Sequence, residues 1–342
     1  MNDLPKNAST TLKTLEQFIV KLPKAELHLH LEGSVEPNLL QQLGKRNGLY
    51  TSNWELANFE RVYRYKDFSG FLQAFKFVSE HLKTPADYKM VTYNLAKKLA
   101  VQKVSYAEVT LSVGVLLWLG RKLEPYFEAI AEAAKAGERD YAVKFCWIFD
   151  ATRQFGEGPA LEVARLAAKY REKGVVAFSI GGDEGRAPPE LFRNAFQTAR
   201  EEGLHCVAHA GEAAGPESVR AAVELLGAER IGHGLKASLD PSLLELLAHR
   251  KIPLEICLSS NLATGILERM EDHPLLQLLA AGVPVTLNTD DPAMFQTDLN
   301  REYRLAGEIF GLTEKQLFEV ARNSFRFAFT ENLMDNHHGK FS

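Results

Sequence analysis

Three histidines and a handful of carboxylates carry the chemistry that residue type and spacing alone suggest. Glu26, His28 and His30 occupy alternate positions of a β-prone run, AELHLH at 25–30. Side chains alternate with period two along a strand, so all three are expected on one face. Two imidazoles at i and i+2 near a strand end can grip one ion from the same side. His209 ends a later run in HAGE, and Asp290 ends another in NTDD. Three imidazoles and a carboxylate suit a borderline divalent ion, Zn2+ by preference, although Fe2+, Co2+ and Mn2+ are compatible by ligand type. Glu212, His233 (in GHG) and Asp291 lie close by in sequence. A metal brings the pKa of its bound water near neutrality. The hydroxide then needs an orienting partner and the substrate a proton donor, and His233 and Glu212 are of those types.

These residues can act together only if the fold gathers them. Short β-prone runs recur at 25–30, 105–111, 143–149, 175–180, 204–209, 229–233, 252–258 and 284–289. The gaps carry helical periodicity. ALEVARLAAKYREK at 160–173 repeats apolar residues every three or four positions, as do 217–226 and 241–248. Pro241 after Asp240 predicts a capped helix start. Strands alternating with helices indicate parallel βαβ units, and eight of them favour a closed (β/α)8 TIM barrel. No G-x-G-x-x-G follows the first run, which weakens an open dinucleotide-binding sheet. His28, His30, His209 and Asp290 would then all sit at C-terminal strand ends, where barrel enzymes build their sites.

The whole chain, 1–342, is expected to form one domain with a helical insertion at about 34–100. Within it Phe68, Phe71, Leu72, Phe75, Val78 and Leu82 form a helical apolar stripe. Such a stripe packs on the barrel, and it can also roof the mouth. The composition is that of an ordinary soluble protein, 46% hydrophobic and 25% charged. A net charge of −4 gives no general pull toward nucleic acid or anionic membrane. The apolar stretch 109–120 is too short for a membrane helix, which needs ~20 residues. The N-terminus lacks the apolar core of a signal peptide, so a cytoplasmic location is expected. Cys146, Cys206 and Cys257 lie far apart in apolar runs and are expected to be buried free thiols. Oligomeric state is not readable.

HLHLEGS at 28–34, SIGGDE at 179–184, HAGE at 209–212, GHG at 232–234 and NTDDP at 288–292 together resemble the adenosine deaminase family. This is the metal-dependent purine deaminase branch of the amidohydrolase barrels. The resemblance implies one Zn2+ per subunit, held by His28, His30, His209 and Asp290. It further implies that Glu212 protonates purine N1, that His233 holds the hydroxide, that Asp291 contacts N7 and that the Gly182 backbone contacts N3. The other zinc deaminase signature, H-x-E with P-C-x-x-C, is absent.

The implied reaction is hydrolytic deamination of a 6-aminopurine nucleoside, adenosine or 2′-deoxyadenosine. The alternative is the same chemistry on adenine, 6-amino-6-deoxyfutalosine or an N6-substituted adenine nucleotide. Glu32, two residues after His30, is expected to reach the non-purine part of the substrate. A non-catalytic binding relative would have lost a ligand or Glu212, and none is lost. His205 lies four residues before His209, roughly 13 Å down the strand, and is expected in a lower barrel layer. His81, His249 and His273 have no metal-binding neighbours in sequence, and His337 and His338 are expected to be solvated. Arg153 is compatible with either a substrate contact or a structural ion pair, and Glu108 with a place inside the barrel.

Overall fold

The computed structural model describes residues 6–49 and 54–330, so His337 and His338 lie outside the described residues. Eight parallel strands stand side by side in sequence order. They are β1 Lys24–His30, β2 Val104–Leu111, β3 Lys144–Thr152, β4 Val175–Gly181, β5 His205–Ala210, β6 Arg230–His233, β7 Leu254–Ile256 and β8 Val285–Leu287. Each matches one of the eight sequence runs. β8 meets β1 through a bridge between Leu29 and Asp290. There His30 N donates to Asp290 O at 2.8 Å and Asp290 N to His28 O at 3.0 Å. The eight strands therefore form the (β/α)8 barrel that their spacing predicts.

Helices lie between the strands because their apolar stripes need a partner surface. Helix Glu157–Lys169 buries Ala160, Val163, Ala164 and Ala167, spaced at three and four residues. Helix Pro241–Arg250 starts where the sequence predicts, with the Asp240 carboxylate accepting from Ser242 N and Leu243 N. Between β1 and β2 the insertion supplies helices Pro37–Arg46, Leu56–Val62, Phe68–His81 and Pro85–Val101. Cys146, Cys206 and Cys257 are buried and free. Among the described residues no helix is long and apolar enough to cross a membrane.

One expectation fails in β1: Glu26 does not share a face with His28 and His30. Glu26 pairs with Ala107 and Leu29 with Val109, so two residues of β1 lie opposite one of β2. That bulge resets the alternation. Ala25 and Leu27 pack into the barrel floor with Tyr106 and Cys146. Glu26 turns to the outer wall, where it lines a cavity with Leu29, Leu95 and Thr289. Its carboxylate accepts from Thr289 N at 2.9 Å and Thr289 Oγ1 at 2.5 Å, which braces the segment leading to Asp290.

Candidate active site

The barrel gathers the four expected ligands. One donor atom from each of His28, His30, His209 and Asp290 lies within 4.8 Å of the others. His28 Nε2 and His30 Nε2 each stand 3.3 Å from Asp290 Oδ1, and His30 Nε2 stands 3.3 Å from His209 Nε2. His28 Nε2 is buried and makes no hydrogen bond there. An unsatisfied buried nitrogen costs about 1–3 kcal/mol, which coordination to a cation would remove. Burial lowers His30 to about 4 and His209 well below its usual value, which favours the neutral imidazoles that ligands must be. Against burial, His28, whose Nε2 stands 3.3 Å from Asp290 Oδ1, holds Asp290 well below the usual carboxylate range. Neutral His30 and His209 beside an ionised Asp290 fit a divalent metal, while the Asp290 and Glu255 carboxylates, against burial, raise His28 to about 10, so a cation would displace a proton from that ring. His233, Cys257 and Asp290 also come together. Burial pushes the Cys257 thiol well up, however, and a protonated thiol is a poor ligand.

The groups that hold these ligands were not legible from residue spacing. Glu255 Oε2 accepts from His28 Nδ1 at 2.8 Å, which would leave Nε2 to offer its lone pair to a bound ion. Ser260 Oγ donates to Asp290 Oδ2 at 2.7 Å, and Asn261 Nδ2 donates to His233 Nδ1 at 3.2 Å. Ser260 and Asn261 belong to helix Leu258–Ala263, directly after β7. His233 and Asp290 both have φ of +62°. Non-glycine residues rarely adopt that conformation, and here it occurs at two site residues held by side-chain partners. Glu184, from the SIGGDE motif, organises the loop after β5. Its carboxylate accepts from Gly211 N (2.6 Å), Glu212 N (3.1 Å), Ala213 N (2.9 Å), Ala214 N (2.8 Å) and Ser218 Oγ (2.5 Å). A glutamate five residues past β4's Ser179 is the only sequence signal for that role.

Glu212 and His233 stand together at the cluster. His233 Nε2 is 3.7 Å from Glu212 Oε2 and 3.8 Å from Asp290 Oδ2. Burial, helped by the Asp290 and Glu184 charges, pushes Glu212 well above the carboxylate range. Burial also lowers His233 to about 4 and keeps it neutral. Asp291 packs against Gly33, where any Cβ would overlap the Asp291 carboxylate. Gly182 has φ +93°, and a Cβ there would overlap Gln154. His30, His209, Glu212, His233, Asp290, Asp291 and Gly182 line one cavity, and Phe68, Phe71, Leu72 and Phe75 of the insertion close its side. The apolar stripe thus both packs and roofs the mouth.

Other sequence candidates sit elsewhere. Glu32 is buried against the end of β2, with its two carboxylate oxygens 3.3 and 3.5 Å from Ser112 N. Arg153 is buried and donates to Ala187 O at 2.7 Å and His209 O at 2.5 Å. It pins the backbone at His209, a candidate ligand, and is not among the residues lining the cavity. His205 stands at the start of β5, half-exposed and 2.9 Å from Glu229. His81 Nδ1 bonds Phe77 O, and His273 Nδ1 accepts from Leu275 N. Asp150, at the end of β3, was missed. It lines the cavity, its Oδ1 has no partner, and burial raises it to about 7.

With this geometry in place, comparison with known proteins is decisive. The family model described as adenosine deaminase matches residues 23–337. The chain belongs to the adenosine deaminase family. It is 39% identical over 322 residues to an aminodeoxyfutalosine deaminase of Streptomyces coelicolor, covering 93% of this chain and 83% of that protein. It is 35% identical over 315 residues to an adenine deaminase of Crocosphaera subtropica, covering 92% and 96%. The crystal structure of an adenine deaminase from Arthrobacter aurescens superposes with a TM-score of 0.88 at 28% identity, covering 93% and 99%.

Proposed function

We propose that the protein hydrolyses the exocyclic amine from C6 of an adenine ring, and that its substrate is 6-amino-6-deoxyfutalosine. The observation that carries this choice is the 39% identity, across nearly the whole chain, to an aminodeoxyfutalosine deaminase. Adenosine, the first reading of the sequence, yields to what was there the alternative. Adenine is the second reading, favoured by the 35% identity to an adenine deaminase.

The chain's own groups support the chemistry. His28, His30, His209 and Asp290 would hold one divalent ion, Zn2+ by ligand type. Such an ion, when bound, supplies water acidified to near neutral pH. Glu212, its carboxyl pushed well above the usual range by burial and neighbouring carboxylates, donates to ring N1 and makes C6 electrophilic. His233 Nε2, between Glu212 and Asp290, orients the attacking oxygen. As C6–O forms, the ring becomes tetrahedral at C6. Glu212, ionised by that transfer, takes the proton of the new C6 hydroxyl and passes it to the amine; the C6–N bond breaks, ammonia leaves with a 6-oxo ring behind, and the proton given up by the attacking water restores Glu212. Asp291 and the Gly182 backbone are the contacts proposed for N7 and N3. The phenylalanines of helix Phe68–His81 cover the ring and exclude bulk water.

A panel measured by ammonia release tests the substrate. It should contain 6-amino-6-deoxyfutalosine, adenine, adenosine, 2′-deoxyadenosine and an N6-substituted adenine nucleotide. The expected result is the highest kcat/KM for 6-amino-6-deoxyfutalosine. A tenfold preference for any other member would overturn the choice.

A further inference from the structure

The mouth of the barrel accounts for one nitrogen of His28, while the other leads down to a cluster the reaction leaves unused. Below Glu255, Arg230 Nε donates to Glu255 Oε1 at 2.6 Å, and Arg230 Nη2 lies 2.5 Å from Glu108 Oε2. Arg230, Glu108 and Glu255 are each at most 1% exposed. The end of the described chain closes over them from beneath. Arg230 Nη1 donates to Phe327 O at 2.9 Å, and Phe329 N donates to Glu108 Oε1 at 2.6 Å. The Phe329 ring centroid lies 3.8 Å from the guanidinium. The His205 ring stacks on Phe329 at 4.1 Å and 3°. Thr330 Oγ1 meets Tyr106 OH at 2.8 Å, and Tyr106 OH also donates to Glu108 Oε1 at 2.8 Å.

A carboxylate buried alone gains no fixed direction, whereas the planar guanidinium fork imposes one. With Oε1 taken by Arg230, Glu255 has Oε2 left for His28 Nδ1–H. That proton position keeps the Nε2 lone pair available to a metal and raises its basicity. Arg230 is in turn fixed by Glu108, the Phe327 carbonyl and the Phe329 ring. We propose that Arg230 is a positioning residue for the metal site, and that segment 327–330, by clamping Arg230 and Glu108, sets how tightly His28 binds the ion. The inference rests on the metal reading of the four-residue cluster. It concerns the support of that cluster from the far end of the barrel.

The test uses full-length, metal-stripped protein. Zn2+ affinity is measured by chelator competition, ligand geometry by the visible spectrum of the Co2+-loaded form, and folding by the Tm of the metal-free form. Glu255→Gln is expected to weaken Zn2+ about 10–100-fold, the range for lost outer partners. Arg230→Lys keeps the charge but cannot reach all three partners, and it should weaken Zn2+ and shift the Co2+ spectrum in the same direction. Phe329→Ala, at a half-buried position, should give a smaller loss of affinity. A purely structural role would lower the metal-free Tm and leave affinity and spectrum as in the parent. That result for both Arg230→Lys and Phe329→Ala would overturn the proposal. If Arg230→Lys does not fold, Phe329→Ala decides alone, and parental affinity there overturns it. A parent that binds no Zn2+ would remove the metal reading itself and this inference with it.

Discussion

The two ends of the barrel bury similar groups and use them differently. At the C-terminal mouth, buried atoms stand without partners: His28 Nε2, His209 Nδ1, Asp150 Oδ1 and Asp291 Oδ1. At the opposite end Arg230 is held between Glu108 and Glu255, and the chain end covers the pair. Desolvating a charge is tolerable only when a partner replaces water. The lower cluster meets that condition within the protein, so it is scaffold. The upper cluster leaves it to be met by something that binds.

The sharpest way to break this contrast is to empty the mouth. The double substitution His28→Ala/His209→Ala should abolish both metal content, by elemental analysis, and ammonia release. Full metal occupancy in that variant would end the four-ligand account. Next comes Glu212→Gln, which preserves shape but cannot deliver the proton. It should keep the metal while turnover falls by about 10²–10⁴. A near-parental kcat would mean that another group protonates the ring.

The lower end should respond in stability first. Arg230→Met leaves two buried carboxylates facing each other and should cost about 3–5 kcal/mol in denaturant unfolding. A loss below about 1 kcal/mol would show that water already reaches this cluster. Glu32 lies between the two cases, buried yet beside the mouth. If it meets the sugar of a nucleoside-like substrate, Glu32→Gln should lower kcat/KM by the equivalent of about 1.5–3 kcal/mol, with adenine nearly unaffected. Equal loss on both would assign Glu32 to bracing the loop against Ser112. The smallest effect is expected far from both ends. Asp240→Ala removes the cap of helix Pro241–Arg250 and should cost about 1 kcal/mol of stability with kcat unchanged. A changed kcat would mean that the outer helices are coupled to the site.

The sequence determined the barrel and the types of the candidate ligands by itself. Strand runs alternating with amphipathic helices leave few topologies, and β5, β6 and the segment just after β8 carry His209, His233 and Asp290. Local patterns also place Asp240 as a cap and the phenylalanine stripe as a packing face. Tertiary structure decided what touches what. The bulge in β1 depends on pairing with β2, so strict alternation misplaced Glu26. Glu255 and Arg230 stand in short apolar strands and look like isolated charges until the barrel closes. Then each becomes the nearest partner of a residue on another strand. Glu184 and Arg153 likewise acquire work only through loops distant in sequence. Periodicity is a property of neighbouring residues along the chain, but hydrogen-bond satisfaction inside a barrel is set between strands, and only the folded chain brings those partners within 3 Å.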